Sequence, residues 1–88
     1  MKLSEIINLK EIRFVKLSNM DIVTKVTTTN IYLVHDNNIV SGSKEKILSL
    51  NPETEDITEE EFISTVNKVE SSDWMVLMLK EGLTTNQL

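Results

Sequence analysis

The chain has 88 residues, 40% apolar and 26% charged, with a net charge of −5 and no cysteine. At this length it makes one domain, residues 1–88, with room for one modest core, because roughly 60–65% of the unfolded surface is buried at this size. The composition excludes a disordered chain and any disulfide or cysteine–zinc framework. The longest apolar run, Trp74–Leu79, is far short of the ~20 residues that span a bilayer. The first ten residues are interrupted by Glu5 and Lys10 and make a poor signal peptide. The expectation is a cytoplasmic protein in a reducing compartment, with no membrane partner.

Charge is unevenly placed. Residues 1–46 hold seven Lys/Arg against five Asp/Glu, a balance of +2, whereas residues 47–88 hold two against nine, a balance of −7. Phosphate contacts need clustered cations, so the second half is a poor nucleic-acid binder. It suits a basic protein surface, unless the acids serve only solubility.

In chain order, Ser4–Leu9 reads as a short helix capped by Ser4, holding Ile6 and Ile7 against the core. Glu11–Ser18 alternates, with Ile12 and Phe14 on one side and Arg13 and Val15 on the other, which predicts a strand. Ser18-Asn19-Met20 suits a turn. Asp21–Thr29 is rich in β-branched residues, which fit a pleated surface. Asn30–Ser43 reads as a hairpin turning at Asp36-Asn37-Asn38, since asparagine tolerates the positive φ of a tight turn. Gly42 and Ser43 end the return strand, and Ser43 caps a short helix over 44–50.

Pro52 forbids a helix through that point. The next helix starts after Thr58. Thr58-x-x-Glu61 is a capping-box pattern, and Ile57 before the cap staples onto Phe62. Phe62, Ile63, Val66 and Val69 form one helical stripe. Ser71–Gly82 fits either a strand apolar on both faces or a helix capped by Ser72 with a Trp74, Leu77, Met78 stripe. The strand is preferred, because a sheet of several β-rich segments needs a buried centre. The tail after Gly82 is expected to fray. Together these predict an α+β domain: a small, mostly antiparallel sheet of three to five strands, packed by a main helix at about 59–69 and one or two short helices.

The chemistry is sparse. His35, the single histidine, falls on the strand face of Ile31 and Leu33 and reads as packed or edge-exposed rather than catalytic. No nucleophile elbow or nucleotide loop is present, so neither catalysis nor a cofactor is expected. Ser41–Lys46 puts a small-residue turn and two lysines at an expected helix start, a weak anion site beside the simpler reading of a capped turn. Asn51–Phe62 carries six acids, but a calcium loop needs glycine at its sixth position and glutamate at its twelfth. Asp56 and Phe62 stand there instead, so no metal is expected.

Glu61 belongs to the capping box, and Glu59 and Glu60 are partly explained by the helix dipole. Glu53, Glu55 and Asp56 have no local structural role. Glu53, Glu55, Asp56, Glu59 and Glu60 are therefore the candidate partner-binding residues. They imply a non-enzymatic acidic module that blocks a basic, nucleic-acid-handling protein, its carboxylates standing in for phosphates. The alternative is an assembly subunit that oligomerises through a sheet edge and an apolar surface. In that case Trp74, Met75 and Met78 are anchors, although the need to fill a small core favours reading them as core.

Overall fold

Branched and aromatic side chains at alternate positions give the first half of the chain its strands. The computed structural model describes residues 1–18, 20–43 and 52–85. After helix α1 (Leu3–Asn8) come β1 (Arg13–Leu17), β2 (Ile22–Val26), β3 (Asn30–His35), β4 (Asn38–Ser43) and β5 (Thr54–Asp56). Helices α2 (Glu59–Asn67) and α3 (Trp74–Thr85) follow. The sheet has five strands in the order β4-β3-β2-β1-β5, every pairing antiparallel. The α+β architecture is as expected.

Helices cover both faces of the sheet. Val15, Leu17, Val26 and Ile31 point to one face and bury Leu3, Ile6 and Ile7 of α1. Val23, Val34 and Ile39 point to the other and meet Phe62 and Val66 from α2, Val69 just beyond it, and Val76 and Leu83 from α3. Period-two alternation makes this possible, since each strand feeds two cores. Phe14 and Phe62 hold the second core at the β1 end, their rings tilted with centroids 5.4 Å apart.

The β3–β4 hairpin turns through two residues, Asp36 and Asn37, at φ 52° and 61°. Both sit in the left-handed region, which a type I′ hairpin turn requires and which Asp and Asn tolerate. Asn38 is the first residue of β4 rather than part of the turn. Met20 N–H closes the β1–β2 connection onto Leu17 C=O at 3.2 Å.

Five local expectations are corrected. The α1 cap is Lys2, not Ser4, and the Glu5 carboxylate accepts from the Lys2 N–H at 2.9 Å. On α2, Thr58 is the cap and its hydroxyl accepts from Glu61 N–H at 3.1 Å. The return bond from Thr58 N–H to the Glu61 carboxylate is not formed, so only half of the capping box exists. Ser71–Gly82, read as a strand, is helical from Trp74 onward, and that helix, Trp74–Thr85, is the longest described. Asp73, not Ser72, starts it, its carboxylate accepting from Met75 N–H at 2.9 Å and its carbonyl from Leu77 N–H at 3.0 Å. That helix also runs into the tail expected to fray, with Leu83 buried. The helix expected over 44–50 lies outside the described residues.

Candidate functional site

Trp74–Leu79, the first half of α3, is apolar at every position, and a helix of that kind is normally buried all round. α3 is not. It packs through Val76 and Leu83 onto β4 and α2. Its opposite side leaves Trp74 73% exposed, Met75 68%, Met78 57% and Leu77 43%. At 100° per residue these four side chains and Gly82 share one continuous surface. The reading of Trp74, Met75 and Met78 as core is therefore overturned, because the core above β3 and β4 is already closed by Val76 and Leu83.

Within residues 69–85 the exposed charges have one sign. Glu70, Asp73 and Glu81 are exposed. The one cation among residues 69–85, Lys80, turns inward and donates to the Val69 carbonyl at 2.7 Å. Under the C-terminal half of α3 a groove of about 240 Å³ opens between Met78, Gly82 and Leu83 on the helix and Lys25, Thr27 and Tyr32 on the sheet. The Lys25 ammonium there lies 5.7 Å from the Phe14 ring centroid, in cation–π range.

The acidic residues singled out in the sequence are all exposed, but they do not form one array. Glu53 has a structural role: its carboxylate lies 3.5 Å from the terminal amine of Met1, and its carbonyl accepts from Ser18 N–H at 2.8 Å. Glu55 pairs with Lys16 in register and Asp56 with Val15, so the two carboxylates leave β5 on opposite faces of the sheet. Glu59 and Glu60 extend from the first turn of α2. Sequence spacing brought the five close along the chain, and the pleat of β5 then separated them.

The remaining sites offer less. His35 is exposed at the end of β3, in a cleft of about 260 Å³. Lys16 and Lys68 face Asp21, Asp36 and Glu61 across that cleft, so no single charge sign prevails. Among the described residues no cluster of three or more His, Asp or Glu is arranged to hold a metal ion. None of their helices is long and apolar enough to cross a membrane. Ser41–Ser43 belong to β4 and not to a helix start, and Lys44–Lys46 lie outside the described residues. No family model, curated protein or solved structure matches the chain.

Proposed function

We propose that the protein is a non-enzymatic binding module whose apolar α3 face docks onto a protein partner with an apolar groove edged by lysine or arginine. One observation carries this reading: Trp74, Met75, Leu77 and Met78 lie uncovered together on a helix whose free charges are all acidic. Trp and Met are favoured anchors at interface centres, where a flexible thioether and a large indole fill irregular pockets.

Magnitudes decide what the rim must do. Burying the four side chains gains at most roughly 6–12 kcal/mol, and association itself costs an estimated 4–15 kcal/mol, on the order of the gain. The apolar contact alone leaves little surplus, so charge complementarity selects the partner. A second copy is a poor occupant of this face, since it brings Glu70, Asp73 and Glu81 against the same acids. A basic groove is a good one. An inhibitor of a nucleic-acid-handling protein is the special case in which that groove is the partner's phosphate-binding surface, with Glu55, Asp56, Glu59 and Glu60 as outlying contacts.

Trp74 is the only tryptophan, and its emission reports the test directly. The probes are two amphipathic helical peptides with the same leucine face, one lysine-bearing and one glutamate-bearing. The lysine peptide is expected to blue-shift Trp74 emission, with affinity falling as salt rises, and the glutamate peptide is not. Equal shifts with both peptides, or none with either, would rule the reading out.

A further inference from the structure

The two edges of the sheet are built differently. β5 is three residues long, carries Glu55 and Asp56, and is covered along its outer side. There Thr54 N–H donates to Met1 C=O at 2.9 Å and Leu3 N–H to Pro52 C=O at 2.9 Å. β4 is six residues long, with no charged residue and no proline, and among the described residues no strand covers its outer side. Open edges of this length are normally blunted by charge, proline or a bulge, because they pair with other chains.

The two-residue hairpin fixes which backbone groups face out. His35 and Asn38 flank the turn and form the closing hydrogen-bonded pair, so Val40 and Gly42 also bond back to Leu33 and Ile31. Ile39, Ser41 and Ser43 therefore turn their N–H and C=O groups to the outer edge. Two hydrogen bonds agree with this phase. Asn30 C=O faces the other way, accepting from Thr27 N–H at 2.9 Å, and Ile39 N–H takes the Asn38 Oδ1 at 2.9 Å instead of a β3 carbonyl.

We infer that β4 pairs antiparallel with β4 of a second copy of this chain, about a twofold axis at Ser41. In that register the two Ser41 residues exchange N–H···O=C bonds, and each Ser43 N–H donates to the other copy's Ile39 C=O. Four backbone bonds form. The outward N–H they leave out is that of Ile39, which Asn38 already satisfies. Val40 then stands beside the other copy's Gly42, where a Cβ would meet nothing within 4 Å, and the two half-exposed Val40 side chains become diagonal neighbours on one face. No charged pair is created on β4. The partner surface of α3 is a separate feature, and the pairing does not depend on it.

Analytical ultracentrifugation of the full chain over a range of concentrations tests the inference, with Ser41→Pro and Val40→Lys as variants. Ser41→Pro removes an N–H that faces outward, so it spares the β3–β4 ladder. Val40→Lys changes a half-exposed side chain and leaves the backbone intact, which covers the case in which the proline variant fails to fold. The wild type is expected to dimerise, and Ser41→Pro to dimerise about 30-fold more weakly through two lost bonds. Val40→Lys is also expected to weaken the dimer, more so at low salt. A wild type that stays monomeric throughout would overturn the inference. So would a dimer that withstands both substitutions and is lost with Trp74→Asp.

Discussion

Lys80 of α3 donates its ammonium to the backbone carbonyl of Val69, 2.7 Å away and just beyond the end of α2. The bond ties the two helices together at their connection. It satisfies a carbonyl left over where α2 ends, with the charge-assisted strength of an ionised donor. It also engages the one cation of residues 69–85, where the exposed charges are Glu70, Asp73 and Glu81.

Lys80→Met keeps the apolar stem of the side chain and deletes the donor. We expect it to cost about 1.5 kcal/mol, the loss of one charge-assisted bond, and to lower Tm by roughly 6–12 °C for a domain of this size. Thermal unfolding followed by circular dichroism measures it. A change within experimental scatter would mean that the bond contributes nothing net.

Thr24 lies at the centre of β2, fully buried, and its hydroxyl has no hydrogen-bond partner. A buried hydroxyl without a partner carries its full desolvation cost. Thr24→Val replaces it with a methyl group of similar volume and the same β-branched preference. The variant is expected to be more stable by about 1 kcal/mol, read as a higher urea midpoint at unchanged m-value.

Phe62 and Trp74 are both large aromatics on helices, and the fold treats them oppositely. Phe62 is fully buried against Phe14, while Trp74 is 73% exposed. Phe62→Ala should cost about 3–5 kcal/mol through cavity formation, most of the stability available to a small domain. Trp74→Ala should stay within about 0.5 kcal/mol of wild type. A large loss for Trp74→Ala would place that side chain in the core, contrary to the fold described, and would remove the surface on which the proposed function rests.

The contrast explains which parts of this molecule were legible in its sequence. The α2 start was readable because its signals are local: Thr58 must cap, and Ile57 and Phe62 flank the cap at the staple spacing. The hairpin was readable because Asp36 and Asn37 tolerate a backbone conformation that most residues resist. α3 was not, because Trp74–Leu79 is apolar at every position and offers neither period two nor period 3.6. Exposure was hidden for the same reason: apolar character cannot say which of Val76 and Trp74 meets the sheet. The acids were legible as charge but not in their placement. Their number suggested one surface, whereas strand pleating divides Glu55 from Asp56 and the terminal amine engages Glu53.

The division between apolar anchors and outlying acids predicts a kinetic split with the lysine-bearing peptide. Charges that steer encounter act mainly on the association rate, and buried anchors act on dissociation. Converting Glu55, Asp56, Glu59 and Glu60 to lysine should slow association about tenfold at low salt and leave dissociation nearly unchanged. Glu53 is left intact because it holds the Met1 amine. Trp74→Ala should instead speed dissociation by about tenfold or more, the loss of one interface anchor. Stopped-flow fluorescence on the peptide separates the two rates. If charge reversal changed only dissociation, the acids would be direct contacts and the interface would extend from α3 to β5. If it changed neither rate, the acids of β5 and α2 would lie outside the interface, and the rim of Glu70, Asp73 and Glu81 would carry the charge selection alone.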